Sequence, residues 1–255
     1  MPILVFEHTP TETPARLGAA LRDQGHRLRV LELYEGDPLP PDLDDVHGIV
    51  ALGGPMNVDQ TEQYHWLYSE MSLIRSAHDQ QIPVVGLCLG AQLVAKALGG
   101  EVEPMDKPEV GWGEVELAFP GTMDPIFAGT PWRTQQFHLH EQTVSSLPAE
   151  GTPLASSAGC QYQAFKVGLT TYAFQYHFEW NREELNAVID ANEAEIREAG
   201  QDPAKLKEET DQHYELYRHL GDRLCQMIAT LLFPIDKRYG SRPSEPVANF
   251  NPGGS

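Results

Sequence analysis

Val84-Val85-Gly86-Leu87-Cys88-Leu89-Gly90-Ala91-Gln92 sets a cysteine between two glycines, after an apolar run and before a helical pattern. This is the pattern of a nucleophile elbow, in which a strand turns sharply into a helix and lifts one side chain above the sheet edge. Glycine at 86 and 90 leaves room for the strand and helix to approach closely. A helix starting behind Cys88 brings a dipole and free backbone N–H groups, which favour a thiolate and a developing oxyanion. A cysteine in an apolar strand is by default a packed core group; the two flanking glycines argue for a nucleophile instead.

Working outward, Ile3–Glu7, residues 28–33, 48–52 and 83–87 read as strands, and residues 13–24, 62–80 and 90–98 as helices, with Gly99-Gly100 as a stop. Such alternation predicts a doubly wound, mostly parallel α/β sheet with helices on both faces and the site at the carboxyl ends of its strands. From residue 110 to 177 short strands predict an added mixed sheet, with 114–119, 164–166 and 172–176 the clearest. Beyond Glu179 the pattern is helical again. Asn181 and Glu184 resemble a capping box, and Tyr214, Tyr217, Leu220, Leu224, Met227, Ile228 and Leu231 form a stripe expected to pack on the body. From Pro234 the chain is rich in Pro, Gly, Ser and Asn, which predicts a mobile tail. There is no internal repeat.

The 255 residues carry 18 Lys+Arg against 37 Asp+Glu, a net charge of −19, with 41% hydrophobic residues. No positive field is available to draw the chain onto nucleic acid or anionic lipid. The apolar window 82–98 contains Gln92 and Lys96 and is broken by glycines, so a membrane span is not expected. The N-terminus lacks a basic region with a long apolar run, and a cytoplasmic location is expected. Cys88, Cys160 and Cys225 match neither a disulfide framework nor a metal spacing.

A cysteine nucleophile needs a base, and the base an orienting acceptor. Gln175-Tyr176-His177-Phe178-Glu179 supplies both, with His177 and Glu179 two residues apart and on one face if a strand ends there. The α/β-hydrolases run nucleophile, acid, histidine; here the acid follows the histidine, which disfavours that fold.

With Ala51-Leu52-Gly53-Gly54-Pro55, Ala97-Leu98-Gly99-Gly100, Glu109-Val110-Gly111-Trp112, Leu154-Ala155-Ser156-Ser157 and Gln163-Ala164-Phe165 in the same order, the sequence resembles class I glutamine amidotransferases, in particular free-standing GMP-synthetase-like ones. The resemblance covers about residues 48–179 and implies a flavodoxin-like amidotransferase domain over 1–190, with a helical extension at 191–233 and the tail at 234–255. It implies that Cys88 attacks the side-chain amide carbon of glutamine, His177 moves protons and Glu179 orients the imidazole, with ammonia leaving and a thioester remaining until water releases glutamate. Backbone N–H groups of Leu89 and of the Gly53-Gly54 turn, Gly54 above all, would hold the oxyanion, and Gly53 and Gln92 would meet the substrate. A separate synthetase partner that accepts the ammonia is implied, because this chain contains no synthetase half.

The chain departs from the family in two stretches. Phe178 stands where many relatives have Pro, a change expected to alter a turn or wall without touching the triad. Glu141-Gln142 stands in a stretch that is His-Gly-Asp-like in relatives, which opens the question of substrate recognition. His138 and His140 alternate on one strand face, but no third ligand is spaced as a zinc site requires, so no metal is expected. No phosphate-binding loop or dinucleotide fingerprint is present, and no cofactor is expected. Three alternatives stand beside glutamine hydrolysis. One is a γ-glutamyl peptidase or hydrolase with the same triad. Another is a catalytically silent binding subunit, which a missing triad member would have signalled. The third is a redox-type elbow cysteine protein, in which histidine commonly follows the cysteine where Leu89 stands here.

Overall fold

Strands covered on both faces must be apolar throughout, and the chain meets this demand in four short runs. The computed structural model describes residues 1–234. Its first half alternates β1 (Ile3–Glu7), α1 (Ala15–Asp23), β2 (Leu28–Glu32), β3 (Gly48–Ala51), α2 (Trp66–Asp79), β4 (Val84–Leu87) and α3 (Leu89–Ala97). Then come β5 (Glu101–Leu117), the short α4 (Phe119–Met123), β6 (Arg133–Ser146), β7 (Gly151–Ser156), β8 (Ala164–Val167) and β9 (Thr171–Phe174). The helices α5 (Arg182–Ala191), α6 (Glu193–Glu198) and α7 (Pro203–Met227) close the described chain, with a π turn over Ile228–Leu232.

Among the described residues, nine strands share one sheet in the order β2-β1-β3-β4-β9-β8-β7-β5-β6. From β2 to β9 neighbours run parallel, and from β9 to β6 they run antiparallel. Every residue of β1, β3, β4 and β9 is buried. The α/β architecture with a mixed sheet is therefore as the alternation predicts. The mixed half differs from the short strands expected: β5 is 17 residues long and pairs with the 14 residues of β6. β5 begins before residue 110, the expected start of the added sheet, and carries Pro104 and Pro108 where its register with β6 shifts, between Pro104 and Glu109, an irregularity that accommodates proline.

One apolar cluster joins one face of β1 and β3 to α2 and α3, and a second joins the opposite face to α1 and the end of α7. Leu224, Ile228 and Phe233 belong to that second cluster, with Phe233 lying against Gly48 of β3. These residues, at the end of the stretch 191–233, lie in the core under the central strands. The expected stripe on α7 holds for Tyr214, Tyr217, Leu220 and Leu224, but Leu231 is 46% exposed. The π turn at Ile228 changes the winding there, so the helical period no longer carries residue 231 inward. The tail expected over 234–255 lies outside the described residues from 235 onward. Among the described residues no helix is long and apolar enough to cross a membrane, and the window 82–98 is β4 followed by α3.

Candidate active site

β4 ends at Leu87 and α3 begins at Leu89, which leaves Cys88 alone at the junction with φ 50° and ψ −108°. A side chain held there stores strain of order 1–3 kcal/mol. Strand and helix meet because two Cβ atoms are missing. A Cβ on Gly86 would lie 2.4 Å from the carbonyl oxygen of Gly90, and one on Gly90 would lie 2.1 Å from that of Ala51. Cys88 itself is 6% exposed and opens into a cavity of about 400 Å³.

The chain returns past this point after β9. The expected strand over 172–176 ends at Phe174, and His177 sits beyond it in an isolated bridge to Phe137, its N–H donating to the Phe137 carbonyl at 3.0 Å. The imidazole lies flat on the indole of Trp180, with ring centroids 3.5 Å apart. Its Nδ1 donates to Glu179 Oε1 at 2.7 Å, which leaves the other nitrogen for Cys88, whose thiol donates to the Leu139 carbonyl at 3.7 Å. The second oxygen of Glu179 accepts the backbone N–H of Phe178 at 2.9 Å. This corrects the expectation that position 178 leaves the triad untouched, since a proline there has no N–H to give. The 177–179 segment is clamped from outside: Arg16 donates to the Phe178 carbonyl at 2.6 Å, and the Arg16 amide donates to that of Glu179 at 3.1 Å.

Burial opposes charge on His177, but the carboxylate of Glu179 and the hydrogen bonds to Cys88 and Glu179 hold its pKa well above the ordinary imidazole value. Burial pushes the Cys88 thiol up, while the hydrogen bond and charge of His177 pull it back. A helix start alone therefore does not deliver the thiolate expected from the sequence. His177, whose positive form Glu179 stabilises, is the group that opposes the effect of burial on the thiol.

The turn opposite Cys88 is held by a buried pair that the sequence reading missed. His8 donates from Nδ1 to the Gly53 carbonyl at 2.9 Å and pairs through Nε2 with Glu70 at 3.0 Å, both side chains fully buried, while its ring stacks on Trp66. Despite burial, Glu70 and the Gly53 carbonyl raise the His8 pKa. In a trans peptide the carbonyl and the following N–H point opposite ways, so anchoring the Gly53 carbonyl on His8 turns the Gly54 N–H toward the cavity. Gly54 and Leu89 both line that cavity, and among the described residues neither amide has an acceptor within the chain.

Gln92 also lines the cavity, but its Nε2 donates to the Gln142 carbonyl at 3.1 Å and to Gln175 Oε1 at 3.2 Å. Gln175 in turn donates to the Cys88 sulfur at 3.7 Å. The amide nitrogen expected to meet a substrate is thus committed to fixing a neighbour that faces the nucleophile. Gly53 is covered by Glu12, whose Oε2 would lie 1.8 Å from a Cβ at that position, with His177 Cε1 at 3.1 Å. Burial raises the Glu12 pKa, and the charge of His177 opposes the rise. His8 and Glu12 follow directly on β1, and polar groups just past the carboxyl end of a central strand are a signal that could have found them.

Glu109 joins His138 and His140 across β5 and β6, so a third ligand atom is present after all, and the three lie within 4.8 Å of one another. Its oxygens already accept from Ser157 at 2.5 Å and Gln163 at 2.6 Å, and His140 Nε2 lies at 3.1 Å. Against the effect of burial, the hydrogen bond from His140 and the nearby His138 hold Glu109 down at about 2. Burial and His140 lower His138 to about 4. These contacts give the carboxylate its partners without an ion. Cys160 and Cys225 are buried free thiols away from the cavity lining.

The family model for glutamine amidotransferase class-I matches residues 16–194. A glutamine amidotransferase-like protein of Salmonella typhimurium, YfeJ, is 28% identical over 214 residues, covering 82% of this chain and 88% of that protein. One subunit of the glutamine-hydrolyzing GMP synthase from Pyrococcus furiosus is 34% identical over 152 residues, 58% of this chain and 74% of its own length. A glutamine-hydrolyzing GMP synthase of Porphyromonas gingivalis is 31% identical over 75% of this chain, which spans 36% of that enzyme's length. A glutamine amidotransferase crystal structure from Thermotoga maritima superposes with a TM-score of 0.80 at 26% identity, covering 90% of this chain and 98% of that one. One from Methylobacillus flagellatus gives 0.81 at 25% identity over 89% and 93%. Since the family model spans well over half of the sequence and the same fold recurs in these structures, the chain belongs to the class I glutamine amidotransferases.

Proposed function

We propose that the chain hydrolyses the side-chain amide of glutamine to glutamate and ammonia through a thioester on Cys88. The observation that carries this reading is that the strained Cys88 elbow and the amides of Gly54 and Leu89, without acceptors among the described residues, share one cavity, with the 2.7 Å His177–Glu179 couple beside the thiol and the Gly53 turn. In this mechanism His177 takes the thiol proton and the sulfur attacks the γ-carbonyl carbon. The developing oxyanion is received by the Gly54 and Leu89 N–H groups. His177 then gives its proton to the nitrogen, the C–N bond breaks and ammonia leaves. A water deprotonated by His177 opens the thioester and restores the thiol. Glu179 stays ionised and steadies the imidazolium at both stages. Glutamine as substrate is in keeping with the glutamine-hydrolyzing relatives. One of those relatives is a single subunit of a GMP synthase, which supports a partner synthetase as the ammonia acceptor.

A second reading, hydrolysis of γ-glutamyl amides by the same steps, is favoured by one observation. Glu141 and Gln142, in the stretch where the chain departs from its relatives, line the cavity. The test is glutamate release by the purified chain from L-glutamine and from a γ-glutamyl dipeptide, with Cys88→Ala as blank. Turnover of glutamine supports the first reading and preference for the dipeptide the second. Release that survives Cys88→Ala overturns both.

A further inference from the structure

The charges around the cavity are one-sided. Glu12 from the loop before α1, Glu141 on β6 and Glu195 on α6 line it, and among the described residues no lysine or arginine does. Two lining side chains also carry acceptors without partners: Glu12 Oε2 and, on a residue 7% exposed, Gln142 Oε1 are both shut from solvent with no hydrogen bond. Buried acceptors of this kind call for a donor from a ligand. Burial raises the pKa of Glu12, against the pull of His177, and that of Glu195; within the group Glu195 adds to the rise on Glu12 and Glu141 to that on Glu195, a repulsion that a bound cation would relieve.

A glutamyl group brings one ammonium and one carboxylate, and so leaves this surplus of negative charge uncompensated. The part of a γ-glutamyl amide that is free to vary is its leaving amine. The cavity of about 400 Å³ is open to solvent, and Glu141 and Glu195 on its lining are exposed, so a leaving amine can extend outward past the glutamyl group. We propose that the site takes γ-glutamyl amides whose leaving amine carries a second positive charge, such as γ-glutamyl conjugates of diamines, with the cation held by Glu12, Glu141 and Glu195. The proposal rests on the amide hydrolysis described above and changes only the leaving group. The Cys88 sulfur bonds the γ-carbon, the C–N bond breaks, His177 delivers its proton to the departing nitrogen, and water then releases glutamate and restores the thiol.

The test is a length-matched series: γ-glutamylputrescine (cationic), γ-glutamylbutylamide (neutral) and γ-glutamyl-γ-aminobutyrate (anionic). The expected order of kcat/KM is cationic, neutral, anionic, with roughly tenfold between the ends, because Glu141 and Glu195 are exposed acids whose individual effects are modest. The spread should narrow as salt shortens the screening length. In the Glu141→Gln/Glu195→Gln protein the cationic-to-anionic ratio should fall toward one. Equal rates across the series, or preference for the anion, overturn the proposal while leaving the hydrolytic reading in place. If none of the three is hydrolysed while L-glutamine is, the proposal fails and the hydrolytic reading stands; if L-glutamine is not hydrolysed either, the hydrolytic reading fails, and calorimetric binding of the same series to Cys88→Ala decides the charge question separately. Tightest binding of the cation supports the proposal, and indifference to charge refutes it.

Discussion

Replacing Glu179 by glutamine removes a charge and one acceptor while keeping the shape. Both oxygens are in use, one by His177 Nδ1 at 2.7 Å and one by the Phe178 N–H at 2.9 Å, on a side chain 2% exposed. A glutamine side chain has one oxygen and one NH2, so one of these two donors must face another donor. A hydrogen bond to a charged group contributes about 1.5–3 kcal/mol. If that stabilisation is lost from the imidazolium in the transition state, kcat falls by roughly ten- to hundredfold at about 1.4 kcal/mol per tenfold. Glu179 also holds the His177 pKa up, so its loss lowers that pKa. The alkaline limb of the pH–rate profile, on which the imidazolium needed by the leaving nitrogen is lost, should then move to lower pH. The assay is glutamate release from glutamine between about pH 5 and 10 for both proteins. The loss should remain smaller than for Cys88→Ala, which removes the bond-forming atom. An unchanged kcat with an unshifted alkaline limb refutes the role given to Glu179.

Gly90→Ala puts a Cβ 2.1 Å from the Ala51 carbonyl oxygen, a backbone atom that cannot swing away. It should cost about 3 kcal/mol or more by urea unfolding, and stability within error of the parent would show that the elbow does not need its close approach. His8→Gln weakens the hold on the Gly53 carbonyl and should lower kcat by about tenfold or more; equal turnover would dissociate His8 from the Gly54 amide. His138 and Glu109, held at about 4 and about 2, take up protons in the unfolded chain at higher pH than in the folded one. Stability should therefore fall as the pH drops from about 6.5 to 4 and again toward 2. His138→Gln should flatten the upper part of that fall in Tm measured from about pH 7 to 4, and an unchanged slope would remove His138 as its source.

What was legible in the sequence was whatever local pattern dictates. The Gly86-Leu87-Cys88-Leu89-Gly90 run reads as an elbow because glycine stands two positions to either side of the cysteine, and the structure supplies the close contacts that demand it there. The capping box also forms: Asn181 accepts the Glu184 N–H and Glu184 accepts that of Asn181. What was not legible depends on partners distant in the chain. Glu70 meets His8 only because α2 packs over the end of β1, and Glu109 meets His138 and His140 only through the register of β5 on β6. The start of β5 carries Pro104 and Pro108 at a register shift, an irregularity that only the pairing with β6 reveals. The role of the Phe178 N–H was missed for a similar reason. A turn or a wall is what a Phe-for-Pro change suggests, whereas its consequence here lies in the backbone donor.

Attack of the Cys88 sulfur on the γ-carbon of a glutamyl substrate is the step on which everything else depends, and its most direct test is covalent. The protein would be treated with a glutamine-derived chloroketone and its intact mass and peptide map recorded, with Cys88→Ala alongside. A single adduct is expected on Cys88, none in the variant, and none on Cys160 or Cys225, which are each 1% exposed. An adduct on another cysteine, or no adduct while glutamine is still hydrolysed, would contradict nucleophilic attack by Cys88.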